Sequence, residues 1–357
     1  MNYKHLLFLL SIVFFLNSCE DDTDCCAQPP EPDHNFATGT FILNEGNFGS
    51  ANASVSYINE NTGETQSMIF SNTNAFDLGD TAQSIEMHEN LAIIVVNVSN
   101  KIEIVNRFTF ESLGTINANL QNPRYAEVVE DKLYVTNWGD GTNPEDDFVA
   151  VFDLNGLSFI ESIPVSEGPE KLLAENNQLY VAHKGGFSFN NIISVINTRS
   201  GIVSSEIEVG FLPNSIAVSG SELWVLSSGK PAYADVETAG ELSRIDLSSN
   251  ELIESIKFPE NNIHPENLNL INNTAYLTIG KALYKFSMGE DLPQSAEFSF
   301  DEAALLYGFT IRNDKIYIAS PNADFTGDGN LYIYNLNDGS LLDNFNTGIN
   351  PNGIYFN

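Results

Sequence analysis

Apolar and polar residues alternate with a period of two along most of the chain after Thr40, in short runs broken by Gly, Asn and Asp. That pattern predicts strands and tight turns, and no apolar stretch keeps the spacing of a helix. One run recurs as KLYVTNW from Lys132, QLYVAHK from Gln178, ELWVLSS from Glu222, TAYLTIG from Thr274 and KIYIASP from Lys315. TFILNEG from Thr40 and NLAIIVV from Asn90 are weaker copies. A second run follows each of them, as VSYIN, IEIVN, VAVFD, ISVIN, LSRID, LYKFS and LYIYN, ending at Asn59, Asn106, Asp153, Asn197, Asp246, Ser287 and Asn335. Most of these lead into Gly or Asn within a few positions, as in NENTGE, DLNGLS and NLNDGS, which is hairpin-turn chemistry. Repeats of about 40 to 50 residues made only of strands and turns fit a propeller period.

A third run precedes the first: NPRYAEV from Asn122, GPEKLLA from Gly168, LPNSIAV from Leu212, HPENLNL from His264 and NPNGIYF from Asn350. The last of these has no strand partner after it, and the repeat that opens at Thr40 lacks such a strand. The two ends therefore complete one blade between them. The expected architecture is all-β, a seven-bladed β-propeller over residues 38–357, with the first blade closed by the C-terminal strand. Closure hides sheet edges that would otherwise invite aggregation.

Ahead of the repeats, Leu6 to Leu16 (LLFLLSIVFFL) is unbroken apolar sequence behind Lys4 and His5. It falls short of the ~20 residues that cross a bilayer and reads as a signal peptide over residues 1–18. Leu16-Asn17-Ser18-Cys19 resembles a bacterial lipobox, so Cys19 is the expected lipidation site and anchor to the outer membrane. Residues 19–37 are acidic, then Pro-rich, without periodicity, and read as a tether. Its acidic start, EDDTD, resembles the signal that sends some lipoproteins to the cell exterior; a plain solvated linker reads equally from composition. Cys25 and Cys26 are adjacent, a poor geometry for pairing with each other. No cysteine follows, so the propeller rests on packing alone.

Charge narrows the partners. With 48 acidic against 15 basic residues and a formal charge of -33, the chain is repelled by phosphate backbones, which excludes nucleic acid as an expected partner. Absence of CxxC, HxH and His/Glu clusters argues against zinc, haem and iron-sulfur centres, so no cofactor is required. The stretch from Asp324 to Asn330 has oxygen ligands and glycines of the kind a calcium loop uses, but lacks the bidentate Glu of an EF-hand. An acidic turn is the simpler reading. No GxSxG or P-loop occurs.

Aligning the repeats places Arg124, Glu170, Asn214, Glu266, Tyr307, Asn352 and Gln83 at the entrance of successive innermost strands, as a polar ring around the channel mouth. Such positions are also polar simply because they are wet. The loops between second and third strands are long, Gly-rich and aromatic after Asn137, His183, Ser227 and Ser320. Trp138 stands where other repeats carry Glu45, Lys184, Ser228, Gly280 and Pro321, and reads as a stacking surface or as packing under its own loop. Phe48, Phe187, Phe189, Tyr233 and Phe325 extend the aromatic rim. Asn137, His183 and Lys184 are expected to face it too, with a structural histidine as the other reading of His183.

FILNEGNFGSANASVSYINENTGE from Phe41, NPRYAEVVEDKLYVTNWGDG and NPNGIYF resemble the YncE-like, YVTN-repeat propellers carried as surface lipoproteins. That group is similar to cobalamin-capturing lipoproteins that sit on TonB-dependent transporters. The resemblance implies a non-enzymatic surface protein that captures a scarce small-molecule nutrient, a corrinoid first of all, and passes it to such a transporter. The alternatives are a calcium-dependent lactonase-type hydrolase, with Glu170, Asn214, Glu266 and Asn352 around one cation, and an adhesion or glycan-binding propeller.

Overall fold

A computed structural model describes residues 35–357; Cys19, Cys25, Cys26, the apolar leader and nearly all of the expected tether lie outside the described residues. Seven antiparallel sheets of four strands each follow one another along the chain. Their innermost strands are Ala82–His88, Pro123–Val129, Pro169–Glu175, Pro213–Ser219, Pro265–Ile271, Gly308–Arg312 and Pro351–Phe356. These touch one another in a closed ring around the channel. The protein is a seven-bladed β-propeller, and blade 1 is completed by the C-terminal strand: Phe41 pairs with Tyr355 and Ile42 with Ile354.

The second strands explain why the LYV-type run was so legible. Leu91–Val96 and its counterparts are buried on both faces, so they read as continuous apolar sequence. Their residues point alternately into the two neighbouring blade interfaces. Val135 packs towards blade 2 with Ile93 and Val95, whereas Tyr134 packs towards blade 4 with Leu179 and Val181. Each of the seven interfaces between blades holds one such apolar cluster, and the core is a ring of wedges. The outermost strands, such as Glu251–Lys257, are mostly exposed.

Two features depart from the expected plan. Phe36, within the stretch read as tether, is buried edge-on against Tyr57 and Phe110. Its N–H donates to the Phe108 carbonyl at 3.0 Å. A short helix, Ile69–Asn74, buries Ile69 and Phe70 at the interface of blades 1 and 2. At six residues it is too short to show a helical period. It is held by Asn74, whose Oδ1 accepts from Ser112 N at 2.8 Å.

Candidate functional site

The innermost strands of blades 1 to 6 carry a register break close to their start. In blade 3, Pro123 pairs with Asn137 and Ala126 with Val135, so Arg124 and Tyr125 together oppose Thr136. In blade 4, Glu170 and Lys171 together oppose Ala182. Gln83, Asn214 and Asn352 are the extra residues of blades 2, 5 and 1. These are β-bulges, which re-aim side chains and suspend the in-and-out alternation of a strand. The residue opposite can repair the ladder: Thr136 Oγ1 accepts from Tyr125 N and donates to the Glu170 carbonyl, both at 3.0 Å.

Gln83, Arg124, Glu170, Asn214, Glu266, Tyr307 and Asn352 all line one cavity of about 580 Å³ at the channel mouth, and Lys184 joins them. Tyr125, Lys171 and Glu45 line the same cavity and were missed by sequence reasoning. Strict alternation puts the residue after Arg124 or Glu170 on the opposite face, and only the bulge turns both inward. Below the mouth the channel continues as a second space of about 360 Å³, reached past Gln83, Tyr125, Lys171, Asn267, Tyr307 and Asn352.

Charge in the mouth is sorted. Arg124 Nε lies 3.1 Å from Glu170 Oε1 and its guanidinium stacks on Trp138 at 4.0 Å, so the buried Glu170 carboxylate is paired through that one oxygen. Glu45 accepts from Tyr307 Oη at 3.0 Å and Asn352 Nδ2 at 3.1 Å. Burial nevertheless holds its pKa above the usual carboxylate value. Lys171 is enclosed by the channel wall; burial, then the Lys184 charge, lowers its pKa. Deeper down, burial and the facing Glu127 push Glu86 up to about 8, while burial pushes Glu127 up to about 7 against a hydrogen bond from Ala174 N. Burial thus raises the pKa of both carboxyls that line the lower channel.

Around the mouth the long loops present aromatic rings. Phe48, Phe187 and Tyr233 are 83%, 79% and 84% exposed. Phe187 meets Trp138 edge-on at 6.0 Å, Phe189 meets Tyr233 at 6.1 Å, and Tyr307 meets Phe325 at 6.2 Å. Trp138 itself is half-buried, with its indole N–H donating to the Pro169 carbonyl at 3.1 Å. It is therefore a fixed platform tied to the next blade. Asp324, in the acidic loop, accepts from Thr326 N at 2.9 Å in a local turn.

Two expected rim residues are corrected. Asn137 and His183 are fully buried, as are their counterparts Asn44 and Ser227, with Ser320 nearly so. This column faces the segment that enters the innermost strand. Asn137 Oδ1 accepts from Gln121 N at 2.9 Å, Asn44 Oδ1 from Gly348 N at 3.0 Å, and Ser320 Oγ from Ala304 N at 3.0 Å. His183 lies beside the backbone of Ser166 and Glu167 with both ring nitrogens buried and without a hydrogen-bond partner, and burial draws its pKa down to about 4. At Asn44, Asn137 and Ser320 the polar residue supplies the acceptor that a loop backbone amide needs away from water.

Sequence comparison then places the chain in a family: the profile of a domain of unknown function, DUF5074, matches residues 38–347. The chain belongs to the DUF5074 family. No curated protein matches this DUF5074 chain. Among solved structures it is similar to a functionally unknown protein from Desulfotomaculum acetoxidans, with 10% identity over 89% of this chain and 98% of that one and a TM-score of 0.62. BamB from Moraxella catarrhalis is 14% identical over 88% and 87% of the two chains, TM-score 0.53. The dihydro-heme d1 dehydrogenase NirN is 12% identical over 92% and 76%, TM-score 0.52. At such identities these likenesses establish the fold alone.

Proposed function

We propose that this DUF5074 propeller is a non-enzymatic capture protein, anchored through Cys19 to the outer membrane and facing the exterior. It would take up a small-molecule nutrient at the channel mouth and deliver it to a TonB-dependent transporter. The supporting observation is the convergence of a polar ring and flat aromatic surface on one concave mouth, with Trp138 held between Arg124 and the Phe187 edge. Few polar groups of fixed orientation beside apolar area are what a small-molecule site needs. A corrinoid fits this chemistry, since its face stacks and its amide fringe takes hydrogen bonds. It is larger than the cavity, so its macrocycle would rest on the rim while one edge group enters.

The hydrolase alternative asks Glu170 and Asn352 to ligate a cation; the Arg124 guanidinium lies on Glu170 Oε1 and would repel a cation there, whereas Asn352 Oδ1 has no hydrogen-bond partner among the described residues. Isothermal titration of the lipid-free chain from Glu20 with cyanocobalamin, in the presence and absence of chelator, tests the proposal. Chelator-insensitive binding that Trp138→Ala weakens is the expected result. No binding by a cooperatively folded chain rejects the corrinoid. Chelator-sensitive lactone hydrolysis would put the hydrolase in its place.

A further inference from the structure

The geometry points to an oxyanion subsite on the floor of the channel mouth, where Lys171 and Lys184 together hold a phosphate or carboxylate group of the ligand. This inference rests on the reading of the mouth as a ligand site, and is separate from the identity of that ligand. Both lysines line the same cavity, from the innermost and second strands' side of blade 4. Lys171 arrives there only because of the bulge it shares with Glu170. Neither ammonium has a hydrogen bond or ion pair among the described residues. In a chain with 48 acidic residues, these two partly buried lysines share one cavity and neither is paired with an acid.

The nearby acids do not pair with them. Glu170 and, less, Glu266 attract Lys171 through space, but neither forms an ion pair with it; Glu170 is bridged to Arg124, Glu266 is exposed, and Glu45 is held by Tyr307 and Asn352. An oxyanion between the two ammonium groups would relieve their mutual repulsion and supply the acceptor each lacks. The lowered pKa of Lys171 agrees with this, because it reports a charge that is enclosed and next to another of its own sign. Elsewhere the acidic surface repels anions, so oxyanion binding at this point would be local.

Competitive acetylation of the lipid-free chain from Glu20, read by mass spectrometry lysine by lysine, tests the subsite. Inorganic phosphate and citrate serve as probes, and Lys132, in the blade 3 hairpin outside the cavity, is the internal reference. Protection of Lys171 and Lys184 by about fivefold or more, with Lys132 unchanged, is the expected result. Protection by phosphate alone assigns a phosphate-bearing ligand, and by citrate alone a carboxylate. Equal labelling with and without both probes overturns the subsite. Protection is expected to disappear at Lys184 in Lys171→Met, or at Lys171 in Lys184→Met should the first variant not fold; persistence in a folded variant would also overturn it. Cyanocobalamin and dicyanocobinamide, which lacks the phosphodiester, form the last comparison. Phosphate protection without any corrinoid binding keeps the subsite and rejects the corrinoid.

Discussion

Two columns of polar residues recur from blade to blade, and they end up in opposite environments. Asn44, Asn137, His183, Ser227 and Ser320, at the ends of second strands, are buried, and Asn44, Asn137 and Ser320 accept from the incoming backbone. Gln83, Arg124, Glu170, Asn214 and Asn352, at the starts of innermost strands, sit at bulges and face the channel. In sequence the columns look alike, each being a small or charged polar residue at a fixed place in a repeat. The difference is one of backbone: an intact ladder keeps the first column inside the blade, and an extra residue rotates the second out of it. A recurrent polar position therefore marks a shared local requirement, and the local register decides whether the residue is buried within the blade or faces the channel.

Breaking the buried column carries the largest expected effect. Asn137→Leu leaves the Gln121 amide without its acceptor and should cost about 2 to 4 kcal/mol of stability in denaturant titration. Ligand binding by the molecules that remain folded should be unchanged. A cost under 0.5 kcal/mol would show that the column is dispensable.

The two regions should also answer pH in opposite directions. His183 has a folded pKa near 4, below its unfolded value, so the folded state binds fewer protons between the two and loses stability as pH falls through about 6.5 to 4. Glu86 has a folded pKa near 8, above its unfolded value, so the folded state binds more protons and loses stability as pH rises from about 4.5 to 8. His183→Gln is expected to flatten the acid limb of a melting-temperature profile, and Glu86→Gln the neutral-to-alkaline limb, by an amount on the order of a few kcal/mol each. Identical profiles for variant and parent would mean these groups do not titrate as their burial implies.

At the rim the effects are smaller. Trp138→Ala should weaken binding of the captured ligand by about tenfold, equivalent to about 1.4 kcal/mol, because a fixed stacking face is lost. It also removes the cover over Arg124, so calorimetric titration must be paired with an unfolding curve. Smallest of all is Phe48→Ser: this ring is almost fully exposed, and stability should stay within about 0.5 kcal/mol. A larger loss would reveal packing around Phe48 beyond its loop.

How much was legible follows from the same physics. Period-two alternation, turn residues and the unmatched NPNGIYF strand were enough for blade number and closure, because each strand must bury its apolar side against a neighbour in the ring. The channel ring from Gln83 to Asn352 was legible as well, since it recurs in register with those strands. Lys171 and Tyr125 were not, because a bulge is a property of the pairing between two strands and leaves no mark on the alternation of one. His183 and Asn137 were misplaced for the converse reason: both are buried at the end of a second strand, where Asn137 serves a loop amide brought up from the preceding blade. Sequence alone determined the seven-bladed ring and the polar character of its mouth, which depend on patterns repeated along the chain. Only the tertiary structure decided which polar residues reach the channel, because that depends on where two paired backbones fall out of register.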